Sequence, residues 1–132
     1  MSSDVHLSET ITIGNPITFD CPSPITSFAV VFEDDGETGY FYGLNLENKK
    51  RPVLDALHIY NVKDVLDRDV ALKIEIIWSN DGLKSYLAIN GFIHAVFDFE
   101  ARKAYCRTNF PPPDRRFTNS HKWNDKALDL FK

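Results

Sequence analysis

The strongest pattern in this sequence is the alternation of apolar with other residues between Val70 and Trp78. Every second position of that stretch carries valine, leucine, isoleucine or tryptophan. Side chains point alternately to the two faces of a β-strand, so a period of two predicts a strand with one buried face. Shorter alternating or β-rich stretches predict further strands at Thr26–Asp34, Tyr40–Leu46, Val53–Val62, Leu83–Ile89, Phe92–Phe99 and Lys103–Thr108, with two short pieces between Val5 and Phe19.

Three dipeptides punctuate these strands: Asp35-Gly36, Asp81-Gly82 and Asn90-Gly91. Each tolerates the positive φ angles that tight two-residue β-turns require, so each predicts a hairpin. Connections this short leave no room for parallel crossovers, and the sheet is therefore predicted to be antiparallel.

The C-terminal part follows a different pattern. Three prolines from Pro111 end the last strand, because proline cannot donate to a ladder. Beyond them, apolar residues from Trp123 to Phe131 recur at helical spacing, which predicts a helix from about Ser120 with Asn119 or Ser120 as its cap. The chain as a whole predicts a mainly β fold with a minor α contribution: an antiparallel meander of about six to eight strands, curled into a half-barrel or sandwich, with one C-terminal helix.

Length and composition change this picture little. A chain of 132 residues favours a single domain, 1–132, with a frayed terminus at residues 1–4. No apolar run approaches the roughly 20 residues of a membrane span, and no apolar signal follows the polar start, so we expect a cytoplasmic protein. Cys21 and Cys106 lack the paired spacing of a zinc site and are either two reduced thiols or one disulfide of an exported form.

Charge is distributed unevenly along the chain. The net charge of −4 argues against a general nucleic-acid binder. Residues 1–60 contain three basic and nine acidic side chains, whereas residues 102–126 contain seven basic and two acidic ones. This asymmetry indicates either two oppositely charged surfaces or an internal pairing of the two regions.

The acidic hairpin is the first candidate site. Glu33, Asp34, Asp35 and Glu37 place four carboxylates within five residues. Oxygen ligands suit calcium, but no second cluster completes a site, so no metal is expected. The alternatives are a solvated turn and an acidic contact surface for a basic partner. The contact surface requires Asp34, Asp35 and Glu37 to lie exposed together.

Arginines among aromatic residues form a second candidate surface. The arginines are Arg107, Arg115 and Arg116, and the aromatic residues are Phe110, Phe117 and Trp123. This combination suits a phosphate or single-stranded nucleic acid, a protein interface, or the packing of the tail onto the sheet. Because the whole chain is acidic, a protein partner is favoured over nucleic acid, with Arg115 and Arg116 as its contacts.

A small-ligand site or an active site is the alternative. His94 and Asp98 share one strand face but stand about 13 Å apart, which is too far for a direct hydrogen bond. A three-residue loop would place Cys106 opposite Val96, on the His94 face; a two-residue loop would place it in the core. Together with Arg107, these residues would line a cleft between the sheet and the tail.

Three segments resemble a known family: residues 31–42, 89–99 and 105–112. They are similar to a family of small single-domain bacterial proteins of unknown function, from about residue 26 to the end of the chain. The resemblance implies a bacterial source and a stand-alone domain, and it implies no activity.

Sequence signatures of catalysis are missing. The chain has no nucleophile elbow, no P-loop, no metalloprotease motif and no dinucleotide fingerprint. We therefore expect a non-catalytic protein-binding module without a cofactor, such as a small inhibitor or immunity-type partner. The alternative is a small-ligand-binding domain or enzyme that uses His94, Asp98, Cys106 and Arg107.

Overall fold

The computed structural model of this chain describes residues 3–65, 69–113 and 115–131. The fold consists of two antiparallel β-sheets. A five-stranded sheet has the order β1-β6-β7-β8-β9, and a four-stranded sheet has the order β2-β3-β4-β5. The strands are β1 (Ser3–Thr12), β2 (Ile17–Pro22), β3 (Phe28–Asp34), β4 (Thr38–Asn45), β5 (Val53–Asn61), β6 (Ala71–Ser79), β7 (Lys84–Ile89), β8 (Phe92–Asp98) and β9 (Lys103–Cys106).

The predicted fold class is confirmed, in the form of two open sheets that share one core rather than a closed barrel. Each half of the chain contributes a meander, β2 to β5 and β6 to β9. The first strand departs from this order because β1 pairs with β6, and Ile11 lies opposite Leu72. The turn at Gly14 therefore carries the chain from one sheet to the other, which local alternation did not indicate.

The core lies between the two sheets and is rich in aromatic residues. Phe41 of β4 and Phe97 of β8 meet across it, with ring centroids 5.4 Å apart. Trp78 of β6 is fully buried and stacks on Phe99 at 5.7 Å. Large aromatic side chains bury more apolar area than any others, so the Phe41–Phe97 contact contributes to the attraction between the sheets and the Trp78–Phe99 contact to the packing of the five-stranded sheet.

The hairpin between β7 and β8 follows the predicted turn chemistry. Asn90 and Gly91 both have positive φ, 51° and 81°, as the favoured two-residue turn requires. The Asn90 side-chain oxygen also accepts a hydrogen bond from the Lys73 backbone at 2.9 Å, which ties the turn to β6.

The predicted terminal helix is shorter and tighter than expected. After β9 the chain continues as a strap (residues 107–113 and 115–124), and a 3₁₀ helix then spans Asp125–Phe131. Asn124, rather than Asn119 or Ser120, caps this helix, accepting a hydrogen bond from the Lys126 backbone at 2.9 Å. Phe131 packs edge-on against Tyr86 of β7, so the helix covers part of the five-stranded sheet.

Two other local predictions have mixed outcomes. Ser3 and Asp4 pair with β6, so the frayed terminus does not include them, and residues 1 and 2 lie outside the described residues. The strand predicted at Val53–Val62 ends at Asn61, a 3₁₀ turn follows at Val62–Asp64, and residues 66–68 lie outside the described part. Within the described residues, no helix is both long and apolar enough to cross a membrane.

Candidate functional site

A basic cleft of about 620 Å³ lies between β9, with its preceding turn, and the strap. Five of its lining side chains are cationic, and no carboxylate lines it among the described residues. The cations are Arg102, Lys103, Arg115, Arg116 and Lys122, and Tyr105, Phe117 and Trp123 contribute aromatic rings. A protein with a net charge of −4 thus concentrates positive charge at one place.

Phe117 anchors one end of the strap wall of the cleft. Its ring enters the core and lies 6.2 Å from the Phe97 ring and 6.0 Å from the Phe99 ring. The Arg102 guanidinium lies 5.3 Å from the Phe117 ring centre and donates a hydrogen bond to the Arg116 carbonyl. These contacts join the two walls of the cleft and hold cationic side chains on both of them.

Trp123 is fixed at the other end of the same wall. The Arg107 guanidinium is sandwiched between the rings of Trp123 and Phe92, at 4.0 and 4.2 Å, and its Nε donates to the Ile93 carbonyl at 2.6 Å. The Trp123 indole N–H donates to Asp125 at 2.7 Å. Arg107 therefore orients a lining residue without lining the cleft itself.

Behind this wall lies a buried polar cluster that the sequence did not reveal. His121 is 1% exposed, and its Nε2 lies 2.6 Å from a carboxylate oxygen of Asp55, which is itself buried. The His121 Nδ1 lies 2.6 Å from the Pro111 carbonyl oxygen. Asp55 and His121 are 66 residues apart, so no local spacing could have paired them.

The strap also seals the open edge of β5. The His58 backbone N–H donates to the Phe110 carbonyl at 2.9 Å, and the His58 carbonyl accepts from the Cys106 thiol and the Thr108 hydroxyl. The His58 ring lies between Tyr40 and Phe110, and its Nε2 is 3.0 Å from the Asn61 side-chain oxygen. Its Nδ1 is buried without a hydrogen-bond partner within the described part.

The alternative ligand set is only partly brought together. Cys106 pairs with Ala95 and is 1% exposed, so its thiol points into the core, away from the face of His94. The turn is longer than either predicted loop, because Asp98 pairs with Lys103. Asp98 is buried at this turn, where it accepts a hydrogen bond from the Ala101 backbone at 3.0 Å.

His94 and Arg107 do lie side by side, on the face opposite the Cys106 thiol. The Arg107 backbone N–H donates to the His94 carbonyl at 3.1 Å. Burial lowers the pKa of His94, and the neighbouring Arg107 charge lowers it further. With Cys106 in the core and Asp98 at the far end of β8, the four residues do not converge on one point.

Asp34 corrects the prediction for the acidic hairpin. Expected to be exposed with Asp35 and Glu37, Asp34 is only 1% exposed. Its carboxylate accepts hydrogen bonds from Gly14 and Gly36 at 2.8 Å each and from the Tyr60 hydroxyl at 2.7 Å. Three donors explain how a charged group tolerates burial, and they make Asp34 a structural anchor of the hairpin.

Asp35 and Glu37 do lie exposed at the tip of this hairpin. Backbone hydrogen bonds from Thr38 and Glu37 lower the pKa of Asp35. Across the described ranges, no group of three or more histidine, cysteine, aspartate or glutamate residues is arranged to hold a metal ion. Cys21 and Cys106 are both free thiols.

Comparison with known proteins yields descriptions without an activity. Residues 11–132 match a family described as "Uncharacterized protein conserved in bacteria (DUF2251)". A protein of Haemophilus influenzae, described only as an uncharacterized protein, is 42% identical over 109 residues, which cover 82% of this chain and 68% of that protein. No solved structure matches the chain.

Proposed function

This chain belongs to the DUF2251 family of uncharacterized bacterial proteins, and we propose that it is a non-catalytic protein-binding module whose basic cleft receives an acidic segment of its partner. The resemblance to a bacterial family of unknown function is thus confirmed, and the family description supplies no activity. The proposal depends on one observation: five cations and no described carboxylate line the cleft of an acidic protein.

Clustered cations on an acidic molecule favour a ligand of opposite charge. Opposite charges attract, so a cleft lined by several cations favours an anionic group over a cationic or neutral one. Arginine and aromatic side chains are enriched in protein interfaces, and both occur here beside one another. Nucleic acid fits less well, because the acidic remainder of the molecule would repel a long phosphate backbone.

Catalysis is not favoured by the arrangement of reactive side chains. The Cys106 thiol is in the core, and His121 is enclosed behind the cleft wall. A general acid or base must come within hydrogen-bond reach of its substrate, and neither group can do so through the wall. The cationic side chains that remain can bind and steer an anion.

An inhibitor or immunity-type role in the bacterial cytoplasm is the specific case of this proposal. A protein that neutralises another needs rapid and selective association, and complementary charge increases association rates. Two separate free thiols are compatible with a reducing compartment. The partner is accordingly expected to present an acidic segment to the cleft.

The experiment is affinity capture from the native bacterium, followed by identification, purification and calorimetric titration of the captured protein. The test variant is Lys103→Glu/Lys122→Glu, with cations from both cleft walls. The matched control is Lys63→Glu/Lys73→Glu, which changes the net charge equally at two exposed lysines that do not line the cleft. Loss of affinity of at least about tenfold is expected for the cleft variant, with the control unchanged.

An equal effect of both double variants would show that only net charge matters. Unchanged affinity in the cleft variant would refute the proposed contact surface.

A further inference from the structure

The buried Asp55–His121 pair connects the strap, which forms one wall of the basic cleft, to β5. His121 lies between Ser120 and Lys122, both of which line the basic cleft, while its own side chain points away into the protein. We infer that this buried pair is the positioning element that holds the strap wall in the geometry that the cleft needs. Its consequence for partner binding rests on the proposed function, whereas its effect on the wall does not.

The hydrogen bonds of His121 define which atoms carry hydrogens. A carbonyl oxygen can only accept, so Nδ1 must donate to Pro111. The 2.6 Å separation of Nε2 from the Asp55 oxygen also requires a hydrogen between them. The cluster therefore contains two hydrogen-bonding protons, and two short hydrogen bonds from one ring are directional.

Both partners of His121 are themselves held in place. Asp55 belongs to β5, and its other carboxylate oxygen accepts from the Ala56 backbone at 2.9 Å. Pro111 follows Phe110, and the Phe110 carbonyl accepts a hydrogen bond from the backbone N–H of His58, which belongs to β5 as Asp55 does. The His121 ring thus links two parts of the strap to β5 of the four-stranded sheet.

The backbone of His121 is fixed as well. Its carbonyl accepts from the Cys106 N–H at 2.9 Å, and Lys122 forms a parallel bridge with Cys106. The strap wall therefore has one apolar anchor at Phe117 and one polar anchor at His121. An apolar contact permits sliding and rotation, whereas two directional hydrogen bonds fix the orientation of the residues on either side.

A specific orientation is a better reason for a buried, hydrogen-bonded polar pair than stability is. Replacing a buried pair of polar or ionic side chains with apolar residues is often neutral or stabilising, because the loss of hydration on burial offsets much of the attraction between the two groups. Loss of one member leaves the other without its partner and is costly. The pair should therefore matter most where the wall must hold Ser120 and Lys122 in place.

The test is amide hydrogen exchange of the whole protein, comparing Asp55→Ala with the wild type. Alanine has no polar side-chain atom, so the Nε2 hydrogen bond of His121 is lost, whereas asparagine could still donate its amide to an unprotonated Nε2. Exchange at residues 115–124 is expected to accelerate at least about tenfold, while β6 residues exchange at the wild-type rate. The matched control is Asp34→Ala, which removes another buried carboxylate, in the β3–β4 hairpin.

His121→Gln provides a second variant should Asp55→Ala fail to fold. Unchanged exchange at residues 115–124 in a folded variant, or equal acceleration by Asp34→Ala, would overturn the inference whatever the partner is. Faster exchange there supports it. The affinity of the captured partner then tests the proposed function separately, because a mobile wall with undiminished affinity would contradict only the use of the cleft.

Discussion

At the scale of single residues, the most informative side chains are polar groups whose burial the local sequence does not indicate. Asp34 lies within an acidic, glycine-bearing turn, and its burial depends on donors contributed by Gly14 and Tyr60, far away in the chain. Asp55 and His121 depend on each other in the same way. Sequence reasoning located the acidic hairpin but could not identify which carboxylate folds inward.

Alkaline pH should expose the role of the tyrosines around this hairpin. Burial raises the pKa of Tyr42 from 10.0 to about 12, with the nearby Glu33 adding to it. Burial also raises the pKa of Tyr60, as does its hydrogen bond to Asp34. The folded state holds these protons more tightly than the unfolded state, so their contribution to stability is complete below pH 10.0 and declines as the pH rises above it. For Tyr42 this loss runs from pH 10.0 to about 12.

Urea unfolding between about pH 8 and about pH 11 measures this effect. The unfolding midpoint of the wild type is expected to fall once the pH passes 10.0. The Tyr42→Phe/Tyr60→Phe variant should show a shallower fall, because phenylalanine has no proton to lose. Identical pH profiles would contradict the assigned burial and hydrogen bonding.

At the scale of elements, alternation and turn chemistry were sufficient where neighbours in sequence are neighbours in space. The meanders from β3 to β5 and from β6 to β9 follow their turns. The pairing of β1 with β6 joins residues that are between 59 (Thr12 and Ala71) and 76 (Ser3 and Ser79) positions apart, and no local pattern encodes it. The terminal helix was predicted in the right part of the chain, but it begins later than predicted because Asn124, rather than Asn119 or Ser120, caps it.

The sequence left the register of β8 with β9 undecided. A shift of that register by one residue moves Cys106 from the core to the outer face. With Cys106 opposite Ala95, a thiol reagent should not reach it in the native protein. In a Cys21→Ser variant, Cys106 is the remaining thiol. Its labelling is expected to be at least about a thousandfold slower than that of a free thiol and to accelerate in denaturant.

Rapid labelling of Cys106 under native conditions would contradict this register. It would also restore the alternative site, in which the thiol lies near His94.

At the scale of the whole molecule, ionisable side chains occur in a buried pair and in surface regions of opposite charge. The buried Asp55–His121 pair joins the acidic first half of the chain to its C-terminal part. Exposed Asp35 and Glu37 lie at a hairpin tip, whereas the cleft is lined by Arg102, Lys103, Arg115, Arg116 and Lys122. Sequence counting located the basic region, including Arg115 and Arg116, which are proposed as contacts of the partner. The cleft itself depends on the path of the strap, which only tertiary packing determines.

The most direct test of the central claim is a nuclear magnetic resonance titration of the isotope-labelled protein with hexaglutamate, a simple acidic segment. The account predicts saturable shifts at residues 101–105 and 115–124, lost in about 0.5 M salt and absent from the Lys103→Glu/Lys122→Glu variant. Shifts that do not saturate, or that are spread over the surface without regard to the cleft, would contradict it.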